Sequence, residues 1–131
     1  MTDSPLRVVV VDDDDDFRLM LRVQLNLEPG VEVVGTAADG YEAIDAVAET
    51  RPDAVAMDLL MPNLDGFAAI DRIKETHPDV GLVAYTAVAG RYARDRVGEQ
   101  GVELVLKSGD PTDLIAALRR CANGRGQAPP G

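Results

Sequence analysis

The sequence predicts an α/β fold in which a doubly wound parallel sheet of five strands carries helices on both faces. Two observations lead to this prediction: short valine-rich apolar runs recur along the chain, and segments with helical spacing separate them. With 131 residues, of which 46% are hydrophobic, the chain is long enough for one such domain with its own core. The predicted strands lie near Arg7–Val11, Val31–Ala37, Ala54–Met57, Gly81–Tyr85 and Val102–Leu106.

The segments between the strands predict helices, because their apolar residues recur every three or four positions. The fourth segment, Arg91–Glu99, has few apolar residues and predicts a weaker helix. The first three segments each have an apolar stripe that we expect to face the sheet. These stripes are Phe17, Met20, Leu21 and Leu25, then Tyr41, Ile44, Val47 and Ala48, and finally Phe67, Ile70 and Ile73.

The last helix is marked by residues that favour a helix start. Asp110 is expected to cap it and Pro111 to occupy its first position. A glycine- and proline-rich stretch follows, so we expect a domain over residues 1–123 and a tail or linker over residues 124–131. The inward-facing residues of this helix are expected to be Leu114, Ile115, Leu118 and Cys121.

Composition and charge narrow the class of protein. Lys and Arg total 13 against 23 Asp and Glu, and the formal charge of −10 disfavours direct binding to nucleic acid or to an anionic membrane. Cys121 is the single cysteine, which excludes an internal disulfide. No apolar run approaches the roughly 18 residues of a membrane span. The sequence therefore predicts a soluble cytoplasmic protein.

Polar residues follow four of the predicted strands, at the edge where ligands collect in an open α/β sheet. Clustered carboxylates there need a cation, because two unit charges about 4 Å apart repel by roughly 4 kcal/mol at an effective dielectric constant near 20. Oxygen ligands suit Mg²⁺. Asp14 to Asp16 are expected in the loop and helix start, although Asp13 with Asp14 remains an alternative acid pair. The strand-end residues are Asp12 and Asp13, Asp58, Thr86 and Lys107.

Four motifs at these strand ends resemble bacterial response-regulator receiver domains. They are the acid pair after the first strand, MDLLMPNLDG after the third, YTA after the fourth and LVLKS after the fifth. The resemblance extends from Arg7 to about Ala122. It implies the strand order 2-1-3-4-5 and a role in two-component signal transduction.

The resemblance also implies a phosphoacceptor site. Asp58 would receive a phosphoryl group from the phosphohistidine of a sensor histidine kinase or a phosphotransfer protein. Mg²⁺ would be held by Asp13, Asp58 and the backbone carbonyl of Leu60, with Asp12 binding chiefly through metal-bound water. The chain would thus be a phosphoacceptor that catalyses its own phosphorylation and slow dephosphorylation, rather than an enzyme acting on a separate substrate.

Further positions would tune the response. Lys107 and the Thr86 hydroxyl would contact the phosphoryl group, and Thr86 would act as a switch. Many receivers have an aromatic switch residue where this chain has Leu104, which puts an aromatic switch in doubt. Leu60 and Val88 would lie beside the phosphoryl group, and neither side chain can hold a water for hydrolysis. We therefore expect slow loss of phosphate.

The output is predicted from two features. Ser108 follows the lysine, as in many LuxR-type transcription regulators, so regulation of transcription through an output domain or partner is expected. The weak fourth helix carries Arg91, Arg94 and Arg96 in an otherwise acidic chain, and a partner or a second protomer is expected on that face.

Two other functions are compatible with part of the sequence. Haloacid-dehalogenase-like phosphatases also have a D-x-D motif after a valine-rich first strand, and Asp12 would then be the nucleophile. That interpretation leaves MDLLMPNLDG unexplained, and the chain is short for such an enzyme with a substrate cap. A phosphorylation-independent binding module is the second, but the complete set of acids, threonine and lysine argues against it.

Overall fold

A computed structural model describes residues 4–87, 89–108 and 110–124. Strands and helices alternate along this part of the chain. None of its helices is long and apolar enough to span a membrane. The strands are β1 (Leu6–Val11), β2 (Val31–Ala37), β3 (Ala54–Met57), β4 (Gly81–Thr86) and β5 (Glu103–Leu106); the helices are α1 (Asp15–Leu27), α2 (Gly40–Thr50), α3 (Gly66–Thr76), α4 (Arg91–Glu99) and α5 (Thr112–Gly124).

The five strands form one parallel sheet in the order β2-β1-β3-β4-β5, which confirms the predicted fold class. Val11 at the end of β1 pairs with Met57 at the end of β3. Thr86 at the end of β4 pairs with Leu106 at the end of β5. Because these ends are in register, the residues that follow them emerge at one edge of the sheet.

The valines of β1 explain why the sheet is covered on both faces. Val8 and Val10 pack into the apolar cluster formed with α1 and α5, whereas Val9 and Val11 pack into the cluster formed with α2 and α3. All four are buried. Side chains alternate between the faces of a strand, so a continuous apolar run is what a strand in the middle of a two-faced sheet requires.

The predicted helical stripes are partly wrong. Met20 of α1 is 44% exposed and Tyr41 of α2 is 49% exposed, and Ala48 is exposed as well. In α2 the small residues Gly40 and Ala43 are buried instead. They allow the helix to lie close to the neighbouring structure, and this close approach leaves the larger Tyr41 at the rim.

The start of α5 differs by one residue from the prediction. The helix begins at Thr112, so Pro111 precedes it rather than occupying its first position. Asp110 nevertheless serves the first turn, because its carboxylate accepts hydrogen bonds from both the backbone nitrogen and the hydroxyl of Thr112. Cys121 is half-buried rather than fully buried.

Helix α4 is attached to the domain by few buried side chains and by aromatic and polar contacts at its surface. Val97 is its single buried residue. The guanidinium of Arg96 lies 5.0 Å from the centre of the Phe67 ring in α3. Just beyond the helix, Gln100 donates to the backbone oxygen of Phe67 over 2.9 Å, and Lys74 donates to the backbone oxygen of Gln100. Arg96 therefore faces α3, whereas the other two predicted surface arginines, Arg91 and Arg94, are exposed.

The loop from β3 to α3 is fixed by two close backbone contacts. The nitrogen of Gly40 donates to the carbonyl of Leu64 over 2.9 Å, and the nitrogen of Gly66 donates to the carbonyl of Leu59 over the same distance. A Cβ atom at Gly66 would lie 2.1 Å from the backbone oxygen of Asp58. The residue at position 66 must therefore be glycine for the loop to pass this close to Asp58.

Substitution at two glycines should have opposite effects on stability. Gly66→Ala should lower the free energy of unfolding by about 1 to 3 kcal/mol or more, because the added methyl group collides with backbone atoms. Gly98→Ala, in α4, should raise it by up to about 1 kcal/mol, because nothing lies within 4 Å of the new Cβ and alanine favours a helix. Urea unfolding measures both changes. A Gly66→Ala variant as stable as the wild type would contradict this account of the loop.

Candidate functional site

Backbone hydrogen bonds place the strand-end side chains at one edge of the sheet. The nitrogen of Asp12 donates to the carbonyl of Ala37 over 3.0 Å, and the nitrogen of Asp58 donates to the carbonyl of Val11 over 3.0 Å. On the other side of β4, the nitrogen of Lys107 donates to the carbonyl of Thr86 over 2.8 Å. These bonds continue the ladders of the sheet by one residue, so the side chains start from a rigid backbone.

Lys107 joins the two buried carboxylates. Its Nζ lies 2.5 Å from Oδ2 of Asp12 and 3.6 Å from Oδ2 of Asp58. Asp12 is only 2% exposed and Asp58 only 6%. Burying a carboxylate is costly unless it is paired. In this structure the ammonium pairs more closely with Asp12 than with Asp58.

Asp12, Asp13 and Asp58 form an acid cluster, in which one carboxylate oxygen of each residue lies within 4.8 Å of those of the other two. Three carboxylates against the one ammonium of Lys107 leave an excess of negative charge, and the donors are all oxygen. This set fits Mg²⁺. Both oxygens of Asp12 already accept hydrogen bonds, from Lys107 and from the backbone of Asp14, whereas Asp13 is exposed. The arrangement therefore suits direct binding through Asp13 and Asp58 and indirect binding through Asp12.

Asp14 has a structural role instead. Its Oδ1 accepts hydrogen bonds from the backbone nitrogens of Asp16 and Phe17, and Asp14 is thus the N-cap of α1. A capping carboxylate is favoured there because the first turn of a helix has unpaired N–H groups. The alternative acid pair of Asp13 with Asp14 is not the one that the structure forms.

The environment of Asp58 disfavours its charged form. Burial raises the pKa of its carboxyl from 3.8 to about 6, and the charges of Asp12 and Asp13 act in the same direction, whereas Lys107 lowers it. Burial is the largest of these effects. The negative charge of Asp58 is therefore poorly compensated, as expected of a carboxylate that binds a cation.

The other predicted site residues lie around this cluster. Thr86 is buried at the end of β4. Leu60, two residues beyond Asp58, is 67% exposed. Leu104 is half-buried in β5 and packs against the core cluster that includes Val97 of α4. Val88 lies outside the described residues.

Two contacts in α1 are not evident from the sequence. The ring of Phe17 lies 4.4 Å from Nζ of Lys107, measured to the ring centre. Arg18 donates from Nη1 to the backbone oxygen of Asp12 over 2.7 Å. Side chains in the first turn of a helix lean back toward its N-terminus. Helix α1 begins directly after the acids. Applied to this helix, the rule places the side chains of Phe17 and Arg18 near the site, so it could have identified both residues.

The sequence profile of the family described as "Response regulator receiver domain" matches residues 8–119. Among curated proteins, protein-glutamate methylesterase/protein-glutamine glutaminase 4 of Geobacter metallireducens is 52% identical over 59 residues, which are 45% of this chain and 17% of that protein. The matched segment spans 16 to 19% of the length of each of the first eight such relatives.

Solved structures agree with the family match. The response regulator domain of Thermotoga maritima CheB superposes with a TM-score of 0.82 at 27% identity, covering 91% of this chain and 97% of that one. A LuxR-family two-component response regulator from Aurantimonas sp. SI85-9A1 superposes with a TM-score of 0.85 at 33% identity, covering 93% and 88%.

In the absence of metal, the stability of the protein should depend on pH through Asp58. Between pH 4 and pH 6 the folded chain holds a proton on Asp58 that the unfolded chain has released, so the free energy of unfolding falls as pH rises through this range. Relative to Asp58→Asn, we expect a fall of about 2 to 3 kcal/mol, because each unit of difference between the folded and the unfolded pKa represents roughly 1.4 kcal/mol.

Chemical unfolding in EDTA at pH 4 and at pH 7.5 measures this difference. Asp79→Asn, which removes a charge from an exposed position, is the matched control and should leave the slope of the wild type intact. A constant difference between wild type and Asp58→Asn at both pH values would contradict the raised pKa.

Proposed function

The chain belongs to the response regulator receiver domain family, and from that premise we propose that it is a phosphoacceptor whose acceptor is Asp58. One observation supports the choice of residue most strongly. Asp58 is a buried carboxylate at the sheet edge, 3.6 Å from an ammonium and within 4.8 Å of two further carboxylates, so a nucleophile, a cation and metal ligands are found together.

The proposed reaction is the transfer of a phosphoryl group from a phosphohistidine. An oxygen of Asp58 attacks phosphorus, a P–O bond forms, and the P–N bond breaks as its electron pair returns to the imidazole of the donor. The donor is a sensor histidine kinase or a phosphotransfer protein. Mg²⁺ held by Asp13, Asp58 and the Leu60 carbonyl, with Asp12 acting through water, would neutralise charge on the phosphoryl oxygens.

Two residues complete the proposed site. Lys107 donates to a phosphoryl oxygen. To reach it, the ammonium has to shift only from Asp12 toward Asp58. Asp58 must be ionised to attack, and with a pKa of about 6 it is ionised at neutral pH. The Thr86 hydroxyl, at the end of the adjacent strand, is proposed to donate to the same group once it is transferred.

The proposed response spreads from Thr86 to α4. A phosphoryl group adds about −1.5 to −2 charges, which draws the Thr86 hydroxyl inward. Leu104 then repacks with it, and α4 follows because Val97 is the one buried residue that ties the helix to this core. This face is the proposed output surface for a partner or a second protomer.

The output of the whole protein has two candidates. Regulation of transcription is favoured by Ser108 after the lysine and by the likeness to a LuxR-family regulator over 93% of the chain. Regulation of a methylesterase is favoured by the 52% identity to a 59-residue segment of a protein-glutamate methylesterase, over 45% of this chain. The gene sequence downstream of residue 131 distinguishes them.

Incubation with acetyl phosphate and Mg²⁺ should add one phosphoryl group to the protein, and intact-mass measurement detects it. Asp58→Asn should abolish the gain, and EDTA should suppress it in the wild type. Asp79→Asn should be phosphorylated normally. Loss of phosphorylation in Asp12→Asn with retention in Asp58→Asn would support a phosphatase-like nucleophile at Asp12 instead.

On the phosphorylated wild type, hydrogen exchange should change in α4 and β5. A change confined to α1 would contradict the proposed output surface.

Signal lifetime should depend on Leu60 and Val88, the two positions that the resemblance to receiver domains assigns to the surroundings of the phosphoryl group. Once the donor is removed, the Leu60→Asn, Val88→Glu double variant should release phosphate about tenfold faster than the wild type, which corresponds to about 1.4 kcal/mol of barrier, because polar side chains can align a water with phosphorus. Phosphate release with Mg²⁺ present is the measurement, and Leu60→Ile is the control that stays apolar. Equal rates for wild type and double variant would contradict this explanation.

A further inference from the structure

The ammonium of Lys107 has an aromatic neighbour as well as its two carboxylate neighbours. Nζ lies 2.5 Å from Asp12, 3.6 Å from Asp58 and 4.4 Å from the centre of the Phe17 ring. The Lys107 side chain is only 15% exposed, so little water surrounds it. A cation within about 6 Å of a ring centre is attracted to the face of the ring, and the attraction is stronger where water is excluded.

The ring itself is held by the fold. Phe17 lies in the first turn of α1, directly after the Asp14 cap, where a side chain leans back toward the N-terminus of the helix. Its ring packs against that of Tyr85, with centres 6.2 Å apart and planes tilted by 39°. Tyr85 is buried in β4 next to Thr86. The ring therefore connects α1 to the strand-end residues and has little freedom to move.

Lysine needs such a support, because its charge is carried on four flexible methylene groups. Asp12 holds the ammonium more closely than Asp58 does, and the ring lies against the ammonium as a third contact. We propose that Phe17 is a positioning residue, whose ring holds the Lys107 ammonium where it can serve the acceptor Asp58. This inference rests on the proposed phosphoacceptor function.

Three variants test the role of Phe17. Phe17→Leu keeps an apolar side chain but removes the ring, Phe17→Tyr keeps the ring, and Leu25→Val reduces packing at the far end of α1, in the same core cluster. The first readout needs no phosphorylation: the NMR signals of the Lys107 ε-methylene protons should lose their ring-current shift in Phe17→Leu and keep it in the other two variants.

The second readout is the rate of phosphorylation by acetyl phosphate with Mg²⁺. Phe17→Leu should lower it about two- to fivefold, whereas Phe17→Tyr and Leu25→Val should match the wild type. In a Lys107→Ala background, Phe17→Leu should have no further effect, because a residue that acts through Lys107 has nothing left to position.

The outcomes separate the two proposals. An unchanged Lys107 signal or an unchanged rate in Phe17→Leu would overturn the role of Phe17, and so would a loss of rate that persists in the Lys107→Ala background. A wild-type chain that takes no phosphoryl group at all would overturn the phosphoacceptor function and, with it, the positioning role, and the NMR signals would show that the ring contact had formed nonetheless.

Discussion

The architecture of the site depends on the contact between Lys107 and Asp12, which joins residues 95 positions apart in the sequence. The two residues leave strands β1 and β5, which lie on opposite sides of β3 and β4. The pair can form only after the whole sheet has assembled in register. The charges of Asp12, Asp13 and Asp58 repel one another and oppose folding. The ammonium of Lys107 compensates part of this repulsion. The remaining negative charge makes this edge of the sheet favourable for a cation, which the proposed phosphoryl transfer requires.

Sequence reasoning succeeded where a residue's place follows from chain connectivity. Strands appear as apolar runs, and the residue after a parallel strand must lie at the carboxyl edge of the sheet, so Asp12, Asp58 and Lys107 were brought together correctly. It failed where the outcome depends on how closely two elements approach. Tyr41 has the spacing of a core residue, but Gly40 bonds to the carbonyl of Leu64, and this close contact leaves the tyrosine at the surface. The contact of Arg96 with Phe67 depends in the same way on how closely α4 lies against α3.

The geometry of the site disfavours both alternative functions, the phosphatase with Asp12 as nucleophile and the binding module. Asp12 is a poor nucleophile here, because both of its oxygens accept hydrogen bonds, from Lys107 and from the backbone of Asp14. Asp58, by contrast, lies 3.6 Å from the ammonium of Lys107 and shares the acid cluster with Asp13, so a cation and possible metal ligands adjoin it. A binding module without chemistry would have no use for three clustered acids whose mutual repulsion lowers stability. The electrostatic cost of the cluster is therefore an argument for a role in catalysis.

Helix α4 has few buried side chains, and this affects how the sequence of such a chain can change during evolution. A helix whose stability depends on many buried side chains can change few of them without loss of folding, whereas α4 buries Val97 alone. Its exposed positions are thus open to mutational drift at little energetic cost. Selection can redraw this surface for a new partner while the acids, the lysine and the sheet that positions them stay constant. The unequal packing of these elements would allow the proposed chemistry and the proposed recognition surface to change independently within one domain.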